Sequence, residues 1–457
     1  MDIRRIRTYA VCVFSGVLLL SSIPVQADEL PPTTRQFLER IGQTPSLLQD
    51  IDAALAVSPA LIEAARKEQG IRIGGTWDAK QFREIAKPFE ERYPFVKLTY
   101  LRGSRFQRTV RPLIALQEGR VTVDVLSSLS SQVLNYRDAD ALASLGSLPA
   151  YKGLEPAMKG QRDLWAVQRV LFRCIGYNTK LVKKSDLPKD WDDILTDPRF
   201  HNGKIGMTNH PDDWFSNLIP SRGMEWGRKY LQTLFTKVKP QLRKEGSNAV
   251  TSLAVAGEFH YTLVSASHRI RDLQKKGAPI DIHCPGSVAG AVSEIGVLKA
   301  SPSVNQGLLF INWFISREGQ LAQFAVAHYD PLYADMRDAG LESMPKMMVG
   351  KKVFFHTAAE EEKYGPEVNA LWTAYWYGQQ GLKMETVKVR LDEVKEGGRA
   401  IVFKVKGATH TARVSSGDTV VKVGGKISAR EGMKAGMACD VTYPGDRQTA
   451  IQIACTK

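Results

Sequence analysis

The sequence predicts an α/β protein of two lobes joined by crossing strands, followed by a small all-β barrel or sandwich, and three observations carry that prediction. Short apolar runs alternate with helical patterns from Ile71 onward, the mark of an open and mostly parallel sheet. The same alternation resumes after residue 170, which makes a second unit of the same kind. From about residue 383 the pattern changes to β-rich runs punctuated by Gly397-Gly398 and Gly424-Gly425. At 457 residues the chain has room for two or three domains, and 43% apolar with 24% charged residues excludes a chain that stays unfolded.

Taken in order, Arg4, Arg5 and Arg7 precede an apolar run over residues 10–20 and a small-residue site at Val25-Gln26-Ala27. This predicts a secretory signal peptide cleaved after Ala27 and a periplasmic protein; the alternative is an anchor that stays attached. Residues 28–70 read as a polar linker and an amphipathic helix. Strands are expected at 71–74, 96–100 and 123–126, with helices at 79–92 and 104–117 between them. Further strands are expected at 171–177, 204–207, 261–264, 280–283 and 294–298, and a strongly apolar helix at 306–324. These predict lobe 1 over about 71–175 and 290–382, lobe 2 over about 176–289, and the β module over 383–457, with strands at 386–389, 400–403, 419–423 and 449–453.

The net charge of +14 favours anionic partners. Residues 383–457 carry 14 Lys and Arg against 8 Asp and Glu, but their only aromatics are Phe403 and Tyr443, too few for a base-stacking platform, so no nucleic acid is expected. An oxidising compartment permits disulfides. Cys439 and Cys455 flank a turn at Pro444-Gly445-Asp446 and are expected to pair; for Cys174 and Cys284 nothing local decides between a bond and free thiols. The signatures GxSxG, HExxH, GxxxxGK[ST] and CxxC do not occur, so a catalytic function and a cofactor are not expected.

Several segments occur in a telling order: Leu61 to Glu68 before a strand and Gly75-Thr76-Trp77, Val123-Asp124-Val125 before a serine cluster, Gly176-Tyr177-Asn178-Thr179, Trp191 to Leu195, Val255 to Phe259, and Ser316 to Gln320. Over residues 61–335 the chain thereby resembles the periplasmic substrate-binding proteins of ABC importers, in the iron(III)-type branch of the extracellular solute-binding family. The resemblance implies a type II periplasmic-binding-protein fold that closes over one ligand and presents it to an ABC permease in the inner membrane, as a monomer. Iron-binding members carry an adjacent tyrosine pair where Ser267-His268 stand here, so capture of bare ferric ion through phenolates is not expected.

In open α/β sheets, ligands bind beyond the carboxyl ends of strands. Those positions hold Thr76, Trp77, Arg102, Ser104, Arg105, Ser127, Ser128, Ser130, Arg173, Thr208, Asn209, Ser265, Ser267 and His268, and the resemblance adds Tyr329. Hydroxyls and guanidinium groups suit a small oxyanion or an anionic iron complex. Each has a plainer reading: Ser104 as a helix cap, the serine cluster as a turn, Arg173 as half of a structural ion pair, Trp77 as core. A separate possibility is ferric ion held with a synergistic anion by Tyr261, Tyr329 and His268. A rival from another class is an envelope sensor whose basic β module docks elsewhere.

Overall fold

A computed structural model describes residues 30–104, 106–211, 214–342, 350–416 and 419–456. The expected signal peptide, residues 1–27, and Arg105 lie outside them. The N-terminal strands are β1 (Ile71–Gly75), β2 (Leu98–Arg102) and β3 (Val125–Ser127), followed by β4 (Ala166–Asn178), β5 (Ile205–Thr208), β6 (Gln241–Arg243), β7 (Tyr261–Ala266), β8 (Ile280–His283), β9 (Val288–Val297) and β10 (Val353–His356). They form one ten-stranded sheet in the order β2-β1-β3-β9-β4-β7-β5-β6, with β10 beside β9 and β8 beside β4.

Two long strands make this one sheet serve two lobes. β4 begins among lobe 1 strands at Ala166 and ends in lobe 2, where Tyr177 pairs with Tyr261 of β7. β9 runs the opposite way, from Val288 beside β10 to Val297, which pairs with Val125 of β3. The two are antiparallel partners over Ala166–Arg173 and Ala289–Ile295, so two adjacent backbones pass between the lobes. The ladder slips between Val167 and Arg169, where Gln168 is an extra residue on β4. Such a bulge twists a strand and re-aims its side chains.

The helices form where the pattern predicts them, with local causes. Ala79–Arg92 starts at Asp78, whose carboxylate accepts from the Lys80 N–H at 2.9 Å, and it buries Phe82, Ile85 and Phe89 on one face. The apolar stretch expected as one helix over 306–324 is two, Val304–Ile315 and Arg317–Ala327, broken at Ser316. Ser316 is extended and its hydroxyl caps the second helix at Gly319.

Two expectations about boundaries are corrected. The expected helical stretch is present as Ile51–Leu55 and Pro59–Arg66, but the stretch before it, expected as linker, forms the packed helix Pro32–Ile41: Thr34 Oγ1 donates to buried Glu318 at 2.6 Å, and further on the Glu68 carboxylate accepts the backbone N–H groups of Asn305 and Gln306 at 3.0 and 2.7 Å. The long helix Ala358–Gly378 belongs with lobe 2 rather than lobe 1. Its Val368, Trp372 and Trp376 sit in the lobe 2 core with Trp191, Trp214 and Tyr230. After β10 the chain turns back across the sheet, and only packing, not sequence order, decides on which lobe a helix lands.

The C-terminal strands are β11 (Glu385–Lys395), β12 (Ala400–Val405), β13 (Ala408–Arg413), β14 (Val420–Val423), β15 (Lys426–Ile427), β16 (Ala438–Tyr443) and β17 (Gln452–Cys455). They form a second sheet in the order β13-β12-β11-β16-β17-β14-β15; among the described residues it does not close into a full barrel, although Arg413 of β13 bridges Thr449 ahead of β17. Its core contains Ile401, Phe403, Val441, Tyr443 and Ile453. Cys439 and Cys455 face each other across β16 and β17 and are bonded, and Cys174 on β4 is bonded to Cys284 after β8.

Candidate functional site

A cleft of about 510 Å3 lies where β4 and β9 cross. Side chains alternate along a strand, so Arg169, Leu171 and Arg173 of β4 share one face and all three line the cleft. The opposite face carries Val170, Phe172 and Cys174, each no more than 2% exposed. One face of the strand therefore anchors the core while the other presents two guanidinium groups.

Arg169 is the centre of the site. It is 5% exposed, and its guanidinium carbon lies 4.5 Å from the Trp77 ring and 4.4 Å from the Tyr329 ring. Nη2 donates to Thr76 Oγ1 at 3.0 Å and to Ser128 Oγ at 3.1 Å, while Nε and Nη1 have no hydrogen-bond partner. Among the described residues no carboxylate pairs with it. Burial lowers its pKa, partly offset by Tyr329 and Tyr100. A buried cation with two unused N–H donors and two aromatic faces is prepared for an anion from outside.

The hydroxyls beneath Arg169 are held by a closed network. Gln168 accepts from Ser127 Oγ at 2.9 Å and donates to Ser128 Oγ and Ser293 Oγ at 3.1 and 3.2 Å. Ser128 and Ser130 both adopt positive φ, 63° and 50°. Behind Tyr329 lies His268, its ring tilted against the tyrosine with centroids 4.4 Å apart, and burial together with Arg173 and Arg169 holds its pKa well below the usual value. Around the rim stand Arg108, Asn217, Ser247, His356, Glu361 and, from β9, Glu294. His356 and Glu361 are paired at 2.7 Å. Burial raises the Glu294 carboxyl to about 7, opposed by backbone N–H groups of Glu294 and Ser130 and by the charges of His356 and Arg108.

The model of the bacterial extracellular solute-binding proteins matches residues 84–349, more than half of the chain. The chain belongs to this family. Among solved structures, iron-bound HitA from Pseudomonas aeruginosa is similar at 21% identity and a TM-score of 0.55, over 67% of this chain and 99% of that one. An ABC transporter substrate-binding protein from Bradyrhizobium japonicum is similar at 14% identity and a TM-score of 0.56, over 67% and 99%. At these identities the likeness is one of fold. An uncharacterised protein of Haemophilus influenzae is 24% identical over 151 residues, 32% of this chain, and the match spans 43% of that relative.

In this solute-binding protein the residues expected at the site divide sharply. Thr76, Ser128, Ser130 and Arg173 line the cleft, Trp77 and Tyr329 sandwich Arg169, and Ser127 and His268 stand behind them. Six do not join. Arg102 is exposed on the edge strand β2 beside Asp78 at 3.5 Å, and Ser104 caps Gln107. Thr208 is buried at the end of β5, and Asn209 accepts the Trp372 indole N–H at 2.9 Å, so both serve packing while the next residue, His210, reaches the cleft. Ser265 is tied to Thr251 and Thr262 at 2.7 Å, and Ser267 to Asp330 at 3.3 Å.

The grouping of Tyr261, Tyr329 and His268 as a ferric site is also corrected. Tyr261 opens β7 and packs on Phe200 at 4.8 Å, whereas His268 follows the far end of the same strand. Five strand residues, Thr262 to Ala266, lie between them and span roughly 16 Å at about 3.3 Å each. Among the described residues, no three His, Cys, Asp or Glu gather as a metal site. The residue most plainly missed in the sequence is Arg169. Its signal was the two-residue spacing from Leu171 and Arg173, hidden because Gln168-Arg169 interrupts the apolar run before Val170.

Proposed function

We propose that this solute-binding protein is the capture component of an ABC importer, exported to the periplasm, that closes on a small anionic solute and hands it to an inner-membrane permease. The observation that carries the reading is Arg169: buried, unpaired with any described carboxylate, and holding two unused donors at the cleft. The lining cations Arg108, Arg169 and Arg173 outnumber the carboxylates Glu294 and Glu361, the second of which is already paired with His356. The solute is a free oxyanion or an anionic iron complex, held through its oxygens. Bare ferric ion is disfavoured, because that hard cation needs several charged oxygen ligands.

The lobes supply the motion. Contacts from β4 and β9 on one side and from Asn217 and Ser247 of lobe 2 on the other meet the solute together only when the crossing strands bend. Binding that requires both lobes then stabilises the closed form in proportion to its extra contacts. The test is calorimetric titration of the exported chain with oxyanions, beside Arg169→Met: saturable binding lost in the variant supports the reading, and equal binding by both defeats it.

A second reading, docking to an anionic envelope surface, is favoured by one observation. Arg399, Arg413, Arg430 and Arg447 surround a concavity of about 580 Å3 on the C-terminal sheet. Replacing all four by Gln while measuring retention on envelope fractions separates docking from solute capture.

A further inference from the structure

The residues around Arg169 recognise an anion, and the other pole of the same cleft narrows which anion, granted the capture role proposed above. Glu294 stands on β9 next to Ser293, the register partner of Arg169, so the two charged side chains come from neighbouring rungs of one ladder. It is 3% exposed, lines the cleft, and its Oε2 has no hydrogen-bond partner. From lobe 2, Asn217 is fully buried and lines the cleft with both Nδ2 and Oδ1 unpartnered. The cleft thus offers a buried cation with unused donors at one point and a buried carboxyl with an unused acceptor at another.

An unpaired acceptor kept from water is costly, and a ligand that brings a donor relieves that cost. A ligand with only oxygen lone pairs meets repulsion there instead. A site built to bond a donor on its ligand therefore rejects the analogue that lacks it far more strongly than a greasy pocket rejects a missing methylene. We propose that the cleft selects small anions that carry their own hydrogen-bond donor, such as hydroxy acids, amino acids or protonated phosphoryl oxyanions, and that Glu294 is the residue that excludes donor-less anions. The anionic group bonds Arg169, Thr76 and Ser128, and the donor bonds Glu294 Oε2. Asn217, with one donor and one acceptor, fits either part of such a ligand once the lobes close.

Matched pairs test this: citrate against propane-1,2,3-tricarboxylate, lactate against propionate, glycine against acetate, and hydrogen phosphate against sulfate. Each is titrated calorimetrically at pH 8 into the full exported chain and into Glu294→Gln. In the unaltered protein the donor-bearing member of the pair that binds is expected to be at least tenfold tighter. In Glu294→Gln the amide supplies a donor as well as an acceptor, so the donor-less member gains and the ratio falls to about threefold or less. Equal affinities within every pair that binds, or an unchanged ratio in the variant, overturn the proposal while leaving anion capture standing. No binding by any member of any pair overturns anion capture and this proposal with it. The ratios in the unaltered protein stand without the variant, and its melting temperature shows whether it is folded.

Discussion

Replacing Glu294 by Gln tests the electrostatics of the cleft without any ligand. In the folded chain burial raises this carboxyl from its ordinary value of 4.5 to about 7, and the unfolded chain exposes it to water. A raised folded value means that the fold favours the protonated acid. Its contribution is fully present below about 4.5 and is lost as pH rises through about 7. Each tenfold change in proton affinity is ~1.4 kcal/mol, so the ionised side chain costs the fold up to about 3 kcal/mol at pH 8.5. Gln has nearly the shape of the protonated acid and never ionises. The variant should match the parent at pH 4.5 and exceed its stability by about 1–3 kcal/mol at pH 8.5. Denaturant melts of both proteins at the two pH values measure the difference. A gap that is the same at both, or that favours the parent at pH 8.5, would refute the reasoning that the carboxyl is dry and its Oε2 unpaired.

Other substitutions probe other parts of the account. Arg169→Met should abolish oxyanion binding yet leave the melting temperature of the ligand-free chain unchanged or higher, because it removes a buried charge without a carboxylate partner. Glu318→Ala should cost about 3–5 kcal/mol in chemical denaturation, since it strands the partly buried Arg92 and leaves Thr34 and Trp313 without the carboxylate they share. Removing Cys174–Cys284 by a double Ala substitution should destabilise by about 4–5 kcal/mol, against about 3 for Cys439–Cys455, because the first closes a loop of 110 residues and the second one of 16. Sulfate binding should weaken by about tenfold in all as pH rises from 6 to 8, as the Glu294 carboxyl ionises at about 7, while Glu294→Gln shows a flatter profile. The charges that act on Glu294 are those of His356 and Arg108, and Arg169, Arg173, Glu361 and His210 line the same cleft.

The fold was legible where local chemistry and tertiary packing agree. Helix Ala79–Arg92 has its cap, its apolar stripe and its neighbouring strands within thirty residues, and it forms over the expected range. The lobe of Ala358–Gly378 was not legible, because its Trp372 and Trp376 meet partners such as Trp191 that lie far back in the chain. Cys439 and Cys455 flank one turn and were readable as a pair, whereas Cys174 and Cys284 meet only once β4 and β8 are side by side.

At the site, residues directly after lobe 1 strands, Thr76 and Ser128, were placed by the general rule for α/β sheets. The rule failed in lobe 2, where Ser265 is tied to the Thr251 and Thr262 hydroxyls and Thr208 is buried. Arg169 and Glu294 escaped because they lie inside the crossing strands and not beyond them, on a face that is open only because two lobes leave a cleft there. A charged residue within a central strand, at even spacing from another, is the sequence feature that points to such a place.

The central claim is that Arg169 makes this cleft an anion trap. It is tested most directly by thermal shift of the exported chain and of Arg169→Met against a panel of carboxylates, phosphate, phosphonates, sulfate and ferric citrate. Binding to the folded state alone raises the melting temperature with the logarithm of ligand concentration over Kd. The account predicts a concentration-dependent rise with at least one anion for the parent and none for the variant. A panel that moves neither protein, or moves both alike, would contradict it.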